Sequence, residues 1–133
     1  KKEYLALVEG EPETEKFCID APIGVLKGSH RGVGDQIENA KSAKTEVQWL
    51  ASKNGQSLLK VSPLSGRTNQ IRVHLSSYGL PIYNDLVYGH GSAGIYQYGL
   101  HAWGLEFQCF DRTMEFRIAP PAHFESLLEI AKI

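Results

Sequence analysis

The 133-residue sequence is long enough for one domain with an ordinary hydrophobic core, and 42% hydrophobic and 22% charged residues are typical of a soluble globular protein. A formal net charge of −1 excludes a globally basic surface, so any nucleic-acid-binding surface must be a local patch. Cys18 and Cys109 lie in separate strand-like runs, which predicts two buried thiols rather than a disulfide framework. Trp49 and Trp103 are also expected in the core.

The first third of the chain is rich in strand-forming residues. Tyr4–Val8 is a short apolar run closed by the turn-like sequence EGEPE, and Lys16–Ile19 is predicted to return as the second strand of a hairpin. Residues 23–44 lack periodicity and carry several glycines and basic residues, so they are predicted to form a long loop. A loop of this length inside a compact domain is usually functional or mobile.

A second hairpin is predicted in the middle of the chain. Thr45–Ala51 alternates as a half-buried strand does, and Ser57–Val61 returns as its partner. Between them, Asn54 and Gly55 form the dipeptide favoured in type I′ turns, because both central residues of such a turn need positive φ.

One helix is predicted after this hairpin. Thr68 is a plausible N-cap, and Ile71, Leu75 and Tyr78 recur at the spacing of one helical face. Gly79 fits the position just past the end of the helix.

The last third of the chain predicts a glycine-rich loop at residues 89–99, then strands at Leu100–Phe107 and Met114–Ile118. A closing amphipathic helix is predicted from Phe124, Leu127, Leu128 and Ala131. Because hairpins outnumber helices, the predicted class is α+β, with a mixed, largely antiparallel sheet and a few flanking helices.

Two arginines stand out at the predicted helix. Arg72 follows Ile71, so it lies about 100° around the helix from the apolar stripe and can reach from its edge into a cleft. There it can hold a carboxylate or a phosphate through two parallel hydrogen bonds; the alternative is a solvated helix arginine. Arg67 precedes the helix, where an anion is favoured, so that Arg67, Thr68, Asn69 and Arg72 together could form a phosphate-binding corner.

The remaining polar residues indicate no known cofactor or metal motif. The five histidines have no metal-ligand spacing, and His74 is expected at the surface or facing RNA. The glycine clusters at residues 28–34 and 89–94 match neither the P-loop nor the dinucleotide fingerprint.

Five segments occur in an order that resembles the second half of the RluA-like family of RNA pseudouridine synthases. They are KEYLALVEG, IDAPIG, AKTEVQWL, LLKVSPLSGRTNQIRVHLSSYGLPIYNDLVYG and LHAWGLEF, and they cover nearly the whole chain. The block GRTNQIRVH followed by PI..D..YG is highly specific for that family.

The resemblance implies an isomerase that converts uridine to pseudouridine in RNA without a cofactor. A nucleophilic aspartate attacks, the glycosidic bond breaks, the uracil turns and C5 rejoins the ribose of a flipped-out nucleotide. The family tyrosine falls on Tyr4, which is expected to pack on the flipped base, and the family arginine falls on Arg72, which is expected to pair with the nucleophile. The residues expected to contact RNA are Arg67, Thr68, Asn69, His74, Lys27 and Arg31.

This chain departs from the family pattern chiefly by an absence. The family nucleophile lies in an R-L-D motif before the K-x-Y motif, and none of the chain's aspartates (Asp20, Asp35, Asp85 and Asp111) lies in that context. The family also usually has His at the position of Asn69 and often Gly at that of Asn84. We therefore expect a C-terminal portion of a catalytic domain, spanning residues 1–133, that is inactive alone.

The partner is expected to be rRNA or tRNA, and the protein is expected to be an intracellular monomer, in the cytoplasm or an organelle, without membrane contact. The alternative function is a non-catalytic RNA-binding or assembly module that kept the fold. An R-L-D motif upstream of Lys1 would favour the enzyme.

Overall fold

The computed structural model describes residues 1–27, 30–34, 37–94 and 97–133. In these ranges the elements follow in the order β1 (Lys2–Glu9), β2 (Lys16–Asp20), β3 (Ile23–Lys27), β4 (His30–Val33), β5 (Lys44–Lys53), β6 (Gln56–Pro63), α1 (Gln70–Ser77), β7 (Leu100–Cys109), β8 (Arg112–Arg117) and α2 (Glu125–Ala131). A 3₁₀ turn at Ala122–Phe124 precedes α2. Among the described residues, no helix has the length and apolar character needed to cross a membrane.

Six strands form one sheet in the order β2-β5-β6-β1-β7-β8, and β3 pairs with β4 in a separate two-stranded sheet. Every strand pair in the described ranges is antiparallel. This confirms the predicted α+β class with a largely antiparallel sheet and flanking helices.

The middle of strand β1, from Leu5 to Val8, is apolar because both faces of the strand are buried there. Ala6 and Val8 belong to the core that α1 completes, and Leu5 and Leu7 belong to a second core that contains Phe124. Side chains alternate between the faces of a strand, so successive residues of β1 enter different cores. Strand β1 is thereby held between α1 on one face of the sheet and α2 on the other. Its packing fixes the direction of each side chain along the strand, including that of Tyr4.

The predicted hairpin between the first two strands is wrong. Strand β1 pairs with β6 on one side and β7 on the other, so neither edge is open to Lys16–Asp20, which pairs with β5 instead. The second predicted hairpin is confirmed: β5 pairs with β6, and Asn54 and Gly55 have φ values of 53° and 79°. The strands predicted near the C-terminus and the closing helix are also confirmed.

Residues 23–44 contain a short hairpin where the sequence predicted only a loop. Strands β3 and β4 pair antiparallel, with Gly24 directly opposite Gly32. A Cβ at Gly24 would lie 2.8 Å from Cγ2 of Ile37, and one at Gly32 would lie 2.9 Å from its Cδ1. Both positions therefore require glycine for close packing, and their lack of side chains hid the alternating pattern of the strands.

The N-cap of helix α1 lies one residue later in the chain than predicted. Its N-cap is Asn69, at φ 56°, with no side-chain capping hydrogen bond, so the expectation for Thr68 is wrong. Ile71 and Leu75 are buried as predicted, whereas Tyr78 is half-exposed and stacks on Phe17 at 4.8 Å between ring centroids. The helix ends at Ser77, and Gly79 lies just past its end as predicted, with φ at 85°.

The cysteines and tryptophans lie nearer the surface than predicted. Cys18 and Cys109 are free thiols, but both are exposed, because Cys18 lies on the outer face of the edge strand β2 and Cys109 lies at the end of β7. Trp49 and Trp103 are only partly buried, and each packs at the margin of a different core.

Candidate active site

Tyr4 is positioned by the central strand of the sheet. The register places it opposite Val61 of β6 and Ala102 of β7. It is half-buried and packs against the core that contains Ile71. Because both neighbouring strands hold the backbone of Tyr4, its ring is presented from a rigid element, as a stacking surface requires.

Beside Tyr4 lies an open cavity of about 530 Å³, which we call the arginine cavity. Its lining includes Tyr4, Leu64, Arg67, Asn69 and Arg72. The described residues that line it include basic and aromatic side chains but no aspartate or glutamate. The structure thus brings the two residues predicted to be catalytic to one cavity.

Arg72 lies in the first turns of α1 and binds a carboxylate from the same chain. Its Nε donates to Oδ2 of Asp85 at 2.8 Å, and its Nη2 donates to Oδ1 at 2.8 Å. Nη1 donates to Oδ1 of Asn69 at 3.2 Å, and the guanidinium lies over the ring of Tyr88, 5.0 Å from its centroid. The alternative of a solvated helix arginine is wrong, because the side chain is only 24% exposed.

Both partners of the Arg72–Asp85 ion pair are ionised. Burial raises the pKa of Asp85, but the Arg72 guanidinium and the backbone N–H groups of Tyr88 and Val87 outweigh burial and hold that pKa below its usual value. The hydrogen bond to Asp85 raises the pKa of Arg72 above its ordinary value. Tyr98 also lies near the pair, and burial raises the pKa of its phenol, so Tyr98 remains neutral.

Arg67 lines the arginine cavity and also a second, smaller pocket. Its Nε donates to the backbone oxygen of Ser42 at 2.9 Å, which fixes the side chain across the chain segment before β5. The second pocket, of about 300 Å³, is lined by Arg31, Lys41, Arg67 and Thr68, with no carboxylate among its described lining residues. We call it the basic pocket. Of the residues predicted to contact RNA, the side chain of Lys27 lies outside the described part of the structure.

The expectation that His74 faces RNA at the surface is wrong. His74 is fully buried, with Nδ1 2.7 Å from Oγ1 of Thr45 and Nε2 2.8 Å from the backbone oxygen of Ala21. Its position three residues after the buried Ile71 is the signal that could have predicted its burial, because residues at i and i+3 share a helical face.

The residue that sequence reasoning missed is Asp85. It is 1% exposed and carries the carboxylate that meets Arg72. It lies in an irregular segment after α1, where no periodicity indicates which side chains turn inward. The sequence pattern contained Asp85 but gave no indication of its partner.

Together these features define the class of protein as an antiparallel α+β domain whose cavity suits an aromatic, anionic ligand such as a nucleotide. Comparison with known proteins then identifies the family. The family model described as RNA pseudouridylate synthase matches residues 1–77. The chain therefore belongs to the RNA pseudouridylate synthase family.

Similar proteins agree with this family. The chain is 40% identical to the ribosomal large subunit pseudouridine synthase D of Nitrosomonas europaea, over 80% of this chain and 33% of that protein. It is 41% identical to an uncharacterized RNA pseudouridine synthase of Zymomonas mobilis, over 96% of this chain and 60% of that protein. The solved structure of human RNA pseudouridylate synthase domain containing 1 superposes with a TM-score of 0.78 at 30% identity, covering 97% of this chain and 58% of the human chain. The chain thus spans less than two thirds of the length of these relatives.

Proposed function

We propose that this chain is the C-terminal portion of the catalytic domain of an RNA pseudouridine synthase, which isomerises uridine to pseudouridine in RNA. The observation that carries the proposal is the arrangement of Tyr4 and Arg72 around one cavity in a chain of this family. The nucleophilic aspartate is proposed to lie upstream of Lys1, and the proposal is supported by the chain spanning less than two thirds of the matched relatives.

Tyr4 is proposed to stack on the flipped uracil. Its half-buried ring lies on a rigid strand and lines the arginine cavity, and base–aromatic stacking needs such a fixed, flat surface. Flipping is needed because the reacting C1′ and C5 atoms are inaccessible in a stacked helix.

Arg72 is proposed to pair with the upstream nucleophile. Its bonds to Asp85 use Nε and one N–H of Nη2, and its bond to Asn69 uses one N–H of Nη1. Each terminal nitrogen carries two N–H groups, so a second carboxylate can approach the end of the guanidinium fork. That carboxylate would then be held ionised and aimed at the sugar.

The substrate is proposed to be rRNA or tRNA, bound without a cofactor by an intracellular monomer. Arg67 lines both the arginine cavity, which Tyr4 also lines, and the basic pocket, which Arg31 and Lys41 also line. These basic groups are proposed to form one RNA-binding surface. The exposed Thr68 and the half-buried Asn69 lie at the same end of α1 and complete the proposed RNA contact. A local basic patch of this kind binds phosphates despite the net charge of −1.

One observation favours a second candidate, a non-catalytic RNA-binding module. The carboxylate beside the arginine cavity, that of Asp85, is already held by Arg72 and two backbone N–H groups. The chain alone therefore offers no reactive carboxylate at the described cavity. An R-L-D motif in the transcript upstream of Lys1 would favour the enzyme, and its absence would favour the module.

The test measures tritium release from RNA transcribed with 5-tritiated uridine, because forming the C5–C1′ bond expels the hydrogen at C5. The full-length protein is expected to release tritium from rRNA or tRNA transcripts, whereas the 133-residue chain alone is expected to release none. Binding of RNA by the full-length protein without tritium release from either class of transcript would support the module instead.

A further inference from the structure

The carboxylate of Asp85 accepts four hydrogen bonds, two from Arg72 and two from the backbone. Its Oδ2 accepts from Nε of Arg72, and its Oδ1 accepts from Nη2 of Arg72 and from the backbone N–H groups of Val87 and Tyr88, at 3.0 and 3.1 Å. The residue is 1% exposed, and it does not line the arginine cavity. These contacts suit a group that orients another side chain rather than one that reacts with a substrate.

The contacts also show which edge of the Arg72 guanidinium binds Asp85 and which edge remains towards the cavity. Asp85 occupies the side edge formed by Nε and Nη2, while the ring of Tyr88 lies against the face of the group at 5.0 Å. A planar fork held at one edge and one face has little rotational freedom. Nη1 also donates to Asn69 at 3.2 Å, and the phenol of Tyr98 lies beside the guanidinium. The terminal edge, between Nη1 and Nη2, is the edge through which a second anion can approach from the cavity that Arg72 lines.

We propose that Asp85 is a positioning residue for Arg72: it fixes the guanidinium against Tyr88 so that the terminal edge faces the cavity shared with Tyr4. This inference rests on the proposed pseudouridine synthase function. Asp85 acts through Arg72 and forms no bond with the substrate. The backbone N–H groups of Val87 and Tyr88 hold the Asp85 carboxylate in place. The turn that contains these residues therefore determines the direction of the Arg72 side chain.

Asp85→Asn separates positioning from simple packing. The amide has nearly the same size and can still accept at one oxygen, but its NH₂ group meets the Nε–H or Nη2–H of Arg72, donor against donor. The guanidinium should therefore leave its side-edge contact while the surrounding residues remain packed. A small misplacement of a positioned group can lower a rate about 100-fold.

The experiment compares Asp85→Asn with the matched control Glu3→Gln in the full-length protein. Glu3 is also largely buried and ion-paired, at 3.0 Å from Arg117 and 3.7 Å from Lys60, but it does not line the arginine cavity. We expect Asp85→Asn to lower the single-turnover rate at saturating enzyme about 100-fold, with the dissociation constant for RNA and the folded circular dichroism spectrum retained. Glu3→Gln should keep the wild-type rate.

A second measurement follows Arg72 directly by ¹⁵N NMR. Its buried Nε–H should give a resolved signal that Asp85→Asn shifts or removes and that Glu3→Gln leaves in place. If Asp85→Asn does not fold, Asp85→Glu keeps the charge while displacing the carboxylate, and it should reduce the rate without changing RNA affinity.

Two results would overturn the inference while the proposed function stands: a folded Asp85→Asn or Asp85→Glu variant with the wild-type rate, or an Arg72 Nε–H signal unchanged by Asp85→Asn. An inactive wild-type protein would overturn the proposed function and, with it, the expected effect of Asp85 on the reaction rate. The NMR signal would still decide whether Asp85 positions Arg72.

Discussion

The hydroxyl of Thr45 lies 2.7 Å from Nδ1 of His74, in the buried layer between β5 and α1. On the other side of the imidazole, Nε2 lies 2.8 Å from the backbone oxygen of Ala21. Since a carbonyl oxygen only accepts, Nε2 carries the proton, and Nδ1 accepts from Thr45. Gln70 donates to the same hydroxyl at 3.0 Å, which orients it towards His74. The network therefore stabilises one neutral tautomer of the histidine.

This network predicts that stability falls as the pH falls below about 6.5, the ordinary pKa of histidine. Burial lowers the pKa of His74, and its hydrogen bond to Ala21 and the charge of Asp20 oppose the shift without cancelling it. Below the ordinary pKa the unfolded chain binds a proton that the folded chain does not, so the free energy of unfolding decreases. The contribution is fully present above that pKa, and its slope can reach about 1.4 kcal/mol per pH unit.

Urea denaturation between pH 7.5 and 5 measures this slope. His74→Leu should remove its contribution, whereas the control His90→Leu, at an exposed position, should retain it. An equal slope in wild type and His74→Leu would show that another group is responsible.

A second prediction concerns Gly99, which joins three parts of the fold. Its oxygen accepts from the backbone N–H of Leu7, and its N–H donates to the oxygen of Tyr83. A Cβ at this position would lie 2.6 Å from the Leu7 oxygen and 3.0 Å from Cβ of Tyr83. Because backbone must move to admit the methyl group, Gly99→Ala should lower the free energy of unfolding by about 1–3 kcal/mol.

Equilibrium unfolding in urea provides the measurement for Gly99→Ala. Gly66→Ala is the matched control, since a Cβ there meets nothing within 4 Å. A loss of the same size in both variants would point to a general effect of replacing glycine rather than to the contact with β1.

A third prediction concerns Arg67, which lies between the arginine cavity and the basic pocket. If it neutralises an RNA phosphate, Arg67→Ala should weaken binding and reduce the steepness of log Kobs against log salt by about 0.7, the value for one contact to a single strand. Arg112→Ala, on the exposed turn end of β8, is the control for loss of one positive charge. Filter binding across a salt series measures both quantities; an unchanged slope in Arg67→Ala would remove Arg67 from the RNA contact.

The fold was predictable where a local pattern determines a local structure. The apolar run of β1 and the Asn54–Gly55 turn were both correct, since burial on two faces and positive φ leave direct marks on the sequence. The partner of β2 was not predictable, because alternation indicates which face of a strand is buried but not which strand lies beside it. The hairpin of β3 and β4 was not predictable for a different reason. Gly24 and Gly32 are needed for close packing, and glycine has a low strand propensity.

The candidate site shows the same limit. Arg72 was placed correctly at the edge of the apolar stripe, because one helical step from Ile71 determines that direction. Its carboxylate partner, Asp85, arrives from an irregular turn, and long-range pairing of this kind leaves no periodic signal. The pairing with Asp85 also affects the electrostatics of the cavity. Because Asp85 neutralises the charge of Arg72, the attraction of Arg72 for a further anion depends more on the direction of its N–H groups than on net charge.

The last prediction concerns Arg72 in the full-length protein and rests on its proposed pairing with the nucleophile. Removing the guanidinium should affect the chemical step, because an opposite charge within about 4–6 Å typically lowers a carboxylate pKa by ~1–3 units and so keeps a nucleophile ionised. Lysine should substitute poorly, since an ammonium is a point charge without the planar fork that holds Asp85 through two parallel hydrogen bonds and so fixes the direction of the remaining donors. We therefore expect Arg72→Ala and Arg72→Lys to lower kcat strongly, whereas Arg67→Ala should act mainly on RNA affinity.

Single-turnover kinetics at saturating enzyme separate these effects, because saturation hides a loss of binding. Arg67→Ala serves as the matched control: it removes the same side chain from the same cavity, but from a position that contacts Ser42 rather than a carboxylate. Under these conditions Arg67→Ala should recover the wild-type rate while both Arg72 variants stay slow. A wild-type rate for Arg72→Lys would contradict a catalytic role for Arg72, because a point charge at that position would then be sufficient.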